Sequence, residues 1–156
     1  MKQALIKVFC LFNVLLLAVI TVACNDGENF RPAENKEIEE ELHSFMKSYK
    51  EEWEDSLIDQ HYSVMENYFV PNSQVYHMER RRHQDLISNK KVEKLEEFKN
   101  IEIETAEDDV YRFRADERIT VDGSNEQTED VEARRYTIER RSNDLRITSI
   151  EREDEM

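Results

Sequence analysis

From Ile38 onward, apolar residues recur at Ile38, Leu42, Phe45, Tyr49, Trp53 and Leu57, spacings of three and four that lay one stripe along a long helix. Glu39, Glu40, Glu41, Lys47, Lys50, Glu51 and Glu54 fall outside that stripe and read as the polar side. A second, short helix is predicted through Tyr62, Met65, Tyr68 and Phe69, and Pro71-Asn72-Ser73 punctuates it. Asn72 or Ser73 then caps a third helix carrying Val75, Met78 or Glu79, Arg82 and Leu86, interrupted by Ser88-Asn89. Val92, Leu95 and Phe98 read as a last helical or turn-like segment.

The period then changes. Ile101 and Ile103 alternate with Glu102 and Glu104, and Tyr111, Phe113, Ala115, Ile119 and Val121 alternate with Arg112, Arg114, Asp116, Arg118 and Thr120. This is the pattern of antiparallel strands with one wet face. Asp122-Gly123-Ser124-Asn125 predicts a turn, followed by an acidic loop to Asp130. Strands over 131–141 and 145–152 are joined by the tight hairpin Ser142-Asn143-Asp144. Phase slips between Ala133 and Tyr136, and between Ile147 and Ile150, predict bulges that curve the sheet. Helices followed by a meander of about four strands give an α+β fold, with N-terminal helices packed on a curved antiparallel sheet.

Ahead of these elements, residues 8–23 are apolar except for Cys10, Asn13 and Thr21, and Lys2 and Lys7 precede the run. That is the make-up of an export signal over residues 1–23. The run is shorter than the roughly 20 residues that span a bilayer, so cleavage is expected over an uncleaved anchor, which Cys24 would lengthen slightly. Thr21-Val22-Ala23-Cys24 resembles the lipobox of bacterial lipoproteins, with Thr21 where Leu is usual. The resemblance implies that Cys24 accepts a diacylglyceryl group on its sulfur, the thiolate being the nucleophile. Two acyl chains anchor a protein stably, at about 0.8 kcal/mol per buried CH₂. Loss of the signal removes Cys10 and leaves Cys24 alone in an oxidising compartment, where acylation disposes of a free thiol. Residues 24–36 are polar and aperiodic and read as a tether, leaving 37–156 as one domain on the extracytoplasmic face of the cell membrane.

Charge narrows the partners. The chain has 22 Lys and Arg against 36 Asp and Glu, a net charge of −14, which argues against nucleic acid and repels the domain from anionic head groups. Within this acidic background Arg80-Arg81-Arg82 stands out; it is a candidate for an anionic polymer or membrane surface, although Glu79, Asp85 and Glu93 lie near enough to neutralise it. Glu79 and His83 are four apart on one helix face, with His77 nearby, but HExxH and CxxC spacings are missing and a solvated face is the expected reading. No cofactor or metal is implied. On the strands, Arg112, Arg114 and Arg118 share the wet phase, and Arg135, Arg141 and Arg146 extend it across neighbouring strands. Such a face is either a self-neutralising ladder of Arg and Glu or a docking face for an envelope protein or an anionic wall polymer. Its charge predicts a monomer or weak homodimer.

Phe45-Met46-Lys47-Ser48-Tyr49 to Trp53, the break Tyr68-Phe69-Val70-Pro71-Asn72-Ser73 before Val75-Tyr76, and the strands Arg135-Tyr136-Thr137-Ile138 and Leu145-Arg146-Ile147-Thr148-Ser149-Ile150 carry a further resemblance. Over roughly residues 37–153 the chain resembles the nuclear transport factor 2-like superfamily, and more closely the extracytoplasmic domain at the C-terminal end of TcaA-like envelope proteins. The resemblance implies a cone-shaped sheet wrapped on the long helix. For superfamily enzymes of the ketosteroid-isomerase type it also implies a carboxylate base and a tyrosine donor inside the cone. Tyr76, Tyr111 and Tyr136 are the candidate inward tyrosines, and Glu117 and Glu132 are the strand acids off the outward phase. A non-enzymatic envelope module using Arg112, Arg114, Arg118, Arg135, Tyr111 and Tyr136 is the expected function; a small-molecule pocket or enzyme is the alternative. A buried carboxylate bonded to an inward tyrosine in an open pocket favours the alternative, and a filled cone favours the module.

Overall fold

The structure, a computed structural model, describes residues 29–107, 109–123 and 127–152. The expected signal at 1–23, Cys24 and most of the Gly123-Ser124-Asn125 turn lie outside them. The elements are β1 (Arg31–Pro32), α1 (Lys36–Ile58), a 3₁₀ segment (Tyr62–Tyr68), α2 (Gln74–Ser88), β2 (Val92–Thr105), β3 (Val110–Asp122), β4 (Gln127–Arg141) and β5 (Asp144–Arg152). No described helix is long and apolar enough to cross a membrane.

Asn35 caps α1, its side chain accepting from the Glu37 N–H, and Glu37 and Glu39 place negative charge at the positive end of the helix dipole. Of the predicted stripe, Leu42, Tyr49, Trp53 and Leu57 are at most 3% exposed, Ile38 and Phe45 are half-buried at its edge, and Met46, outside the predicted stripe, is fully buried. Ser73 caps α2 by accepting from the Tyr76 N–H. The strands form one antiparallel sheet in the order β1-β2-β3-β4-β5, one strand more than expected. Its inner face presents Phe113, Ala115, Tyr136, Ile138 and Ile147 to α1 and to Met65 and Phe69 of the 3₁₀ region, making one core. The fold class is therefore α+β, helices on a curved sheet.

Four expectations change. Val92, Leu95 and Phe98 belong to β2, not to a helix: a register shift between Leu95 and Glu97 stretches the spacing from Leu95 to Phe98 to three, and Val92, in unbroken register with Leu95, falls on the opposite face from it, so the helical period is a coincidence of the two. A second shift, between Lys99 and Glu102, bends β2 again, with Asn100 at φ 49°. On β4 no slip occurs before Tyr136, because the inward residue there is Arg134 rather than Ala133; the slip expected near Ile147 is present, opposite Thr137 and Ile138. The acidic stretch to Asp130 is strand from Gln127. Finally, part of the expected tether is folded onto the domain. Arg31 and Pro32 pair with Thr105 and Glu104, the Ala33 N–H donates to the Ile103 carbonyl at 2.9 Å, and the Arg112 guanidinium lies 3.6 Å from the centre of the Phe30 ring.

Candidate functional site

The concave face of the sheet holds charge where the core would otherwise be apolar. Glu117 lies on the inward phase of β3 between Ala115 and Ile119 and is 0% exposed. Lys50 follows Tyr49 on α1, and because that helix crosses the concave sheet, its side chain is enclosed and only 4% exposed. Lys50 Nζ donates to Glu117 Oε2 at 2.6 Å, the Tyr136 hydroxyl donates to Oε1 at 2.5 Å, and Arg134 Nη1 stands 3.3 Å from Oε2. Both oxygens of the carboxylate are thus engaged from within the chain.

The network continues toward the end of α2. Arg134 reaches Glu93 at 3.9 Å and donates twice to Glu132, through Nε at 2.9 Å and Nη2 at 2.5 Å. Arg82 bonds Glu93, stands 3.6 Å from Glu79, and lays its guanidinium 5.2 Å from the centre of the Trp53 ring. Lys50, Arg82 and Arg134 thus balance the buried Glu79, Glu93 and Glu117, with Glu132 at the rim. Taking these ions out of water costs several kcal/mol each, recovered only because each is paired and hydrogen-bonded. Burial, and then the Glu117 charge, push the Tyr136 hydroxyl far above its ordinary range, so it remains a donor. Burial draws the Lys50 ammonium down, and Glu117 opposes that.

A proton-transfer site of the ketosteroid-isomerase type needs a carboxylate with a free lone pair and a tyrosine aimed at empty space. The pair is present here, but the tyrosine donates to the carboxylate itself, and Lys50 and Arg134 occupy the place of a substrate. Tyr111 is buried on the same inner face and donates to Asp109, and Tyr76 donates outward to Glu66. A cleft of about 290 Å³ between α1 and β2 reaches Lys50 and Phe98, but Glu117 and Tyr136 do not line it.

Glu79 and His83 do share a helix face, yet it is the core face and not a solvated one: they are 6% and 1% exposed. His83 Nε2 is 3.0 Å from Ser56 Oγ, and that hydroxyl donates to the Trp53 carbonyl, so the imidazole is the donor in the pair. Ser56 is therefore not activated as a nucleophile. Of Arg80-Arg81-Arg82, only Arg82 turns inward to Glu79 and Glu93; the other two are exposed.

The expected ligand-binding residues divide between two faces. Tyr111 and Tyr136 are inside the cone. Arg112, Arg114, Arg118 and Arg135 lie together on the outer face, with Arg114 directly opposite Arg135. There Arg112 meets Glu104 at 3.1 Å, Arg114 meets Glu102 at 3.2 Å, Arg118 meets Glu97 at 3.2 Å and Glu129 at 3.7 Å, and Arg135 meets Glu151 at 3.2 Å. The face is a ladder of alternating sign. Sequence reasoning missed Lys50, Arg134 and Glu93 as inward groups; Arg134 was open to discovery, because placing it inside removes the apparent slip before Tyr136.

Comparison with curated proteins finds no match, and comparison with solved structures finds none either. A family model described as the NTF2-like domain of TcaA protein matches residues 38–151, from the start of the α1 stripe to the end of β5. The matched span contains the whole buried network and the charged outer face, and the chain belongs to the TcaA-type NTF2-like domain family.

Proposed function

We propose that this chain is a membrane-tethered, extracytoplasmic module of the cell envelope that recognises a partner at its surface and has no catalytic role. Family membership supports envelope association. The export-type start and the lipobox-like Thr21-Val22-Ala23-Cys24 support the tether. The observation that carries the non-enzymatic reading is the enclosure of Glu117: both its oxygens are held by Lys50, Arg134 and Tyr136, and it has no exposed surface. The outer sheet face supports recognition by a protein. Its alternating charges complement a second mosaic of both signs better than a uniformly anionic polymer, which would have to displace Glu97, Glu102, Glu104 and Glu151.

The enzyme reading draws on one observation, the 2.5 Å bond between Tyr136 and Glu117, and requires Lys50 to leave the cone. Titration with 2-naphthol, a planar phenol that mimics an enolate, separates the two. No saturable NMR shift at Tyr136 is expected. Saturable binding that shifts Tyr136 and Glu117 together would establish a pocket and reverse the proposal.

A further inference from the structure

At the end of the domain where α1, the 3₁₀ segment and the β4–β5 hairpin meet is an open groove of about 550 Å³, lined neither by Glu117 and the residues that hold it nor by the outer-face ion pairs named above. Two half-buried aromatic rings, Phe45 and Tyr68, form part of its wall with centroids 5.6 Å apart. Tyr68 is backed by the buried Tyr49 ring at 5.5 Å, which fixes its orientation. Around the rings stand Ser48, Asn67 and Asn143, whose side chains, like the Tyr68 hydroxyl, have no hydrogen-bond partner among the described residues. The two-residue turn between Arg141 and Asp144, with Ser142 at φ 62°, brings Asn143 to the groove.

The charges bordering this groove cancel in pairs. Glu41 receives both terminal nitrogens of Arg140, at 2.8 and 2.5 Å, and Asp144 receives Arg146 at 3.1 Å. What remains available is a set of neutral donors and acceptors beside aromatic surface. A lipid tail would leave the amides and hydroxyls unpaired, which is costly. A polyanion would meet no uncommitted cation here and a chain of net charge −14. A saccharide fits both requirements, because a sugar ring offers a C–H face to an aromatic ring and hydroxyls to amide groups at its edge. We propose that this groove binds a neutral oligosaccharide, with Tyr68 and Phe45 as the stacking surface and Asn67, Asn143 and Ser48 as its hydrogen-bonding edge. The site is independent of the surface proposed for a protein partner, so either reading can fail alone.

The test is NMR titration of the full chain, held in a detergent without sugar head groups, with chitotetraose, maltotetraose and polyglycerol phosphate. At least one oligosaccharide is expected to give saturable shifts confined to residues around Asn67, Tyr68 and Asn143, with polyglycerol phosphate giving none there. Asn143→Ala and Tyr68→Phe keep the buried contacts and are each expected to weaken binding by up to about tenfold, the worth of one hydrogen bond; an unchanged Tyr136 resonance verifies their fold. The proposal is overturned if neither oligosaccharide binds up to about 10 mM, if the shifts map elsewhere, if both variants bind like wild type, or if polyglycerol phosphate is the ligand that saturates.

Discussion

At the rim of the buried network, burial pushes the Glu132 carboxyl up, but the charge and hydrogen bonds of Arg134, with Arg152 beyond, outweigh it and hold the group below its ordinary 4.5. A carboxyl whose pKa is depressed by folding adds stability above its unfolded pKa and loses it as pH falls through the folded value. Glu132→Gln is therefore expected to be less stable than wild type at pH 7, with the gap narrowing below pH 4.5. Melting temperatures across that range check this, and a gap independent of pH would contradict it. Glu117 itself was legible because it interrupts the inward series Tyr111, Phe113, Ala115 and Ile119. Its partners were not. Lys50 and Glu93 look like ordinary solvated charges until the helix crossing and the β2 bulge are known, and neither is a local property of the sequence.

Both long helices end in the same way without the usual residue. After α1 the His61 N–H donates to the Ser56 carbonyl and Gln60 takes φ 54°; after α2 the Lys91 N–H donates to the Leu86 carbonyl and Lys90 takes φ 54°. These are Schellman caps, whose left-handed position favours glycine. The chain has only 2 Gly, so the signal that marks a helix end is missing from its sequence. Lys90→Gly is expected to raise stability by about 0.5–1 kcal/mol through relief of the left-handed backbone, measured by urea unfolding. A loss of stability would show that the Lys90 side chain contributes more than its backbone costs. The same logic explains β2: its strand type was hidden in part by a bulge, whereas β3, β4 and β5, with clean alternation over most of their length, were readable.

For the whole molecule, the order of helices before a strand meander was enough to predict the fold class, and the resemblance was enough to predict the cone. The docking of Arg31–Pro32 on the sheet was not readable, since two residues carry no period. Membrane attachment is testable by fractionation. Wild type expressed in a Gram-positive host is expected in the membrane fraction with a diacylglyceryl mass on Cys24, and Cys24→Ala is expected to lose that mass; a wild type retaining residues 1–23 without lipid would point to an uncleaved anchor.

The identity of the cone as a sealed ionic core, rather than a catalytic pocket, turns on Glu117, and the most direct measurement is the urea stability of Glu117→Gln. A catalytic carboxylate is often strained, so its neutral isostere leaves the fold as stable or more so. A carboxylate that holds Lys50, Arg134 and Tyr136 leaves the buried Lys50 without its ion-pair partner when neutralised, and Arg134 with only Glu132 and Glu93. The expected result is a loss of about 3–5 kcal/mol with an unchanged denaturant slope. An unchanged or increased stability would contradict the sealed core and return Glu117 to candidacy as a base.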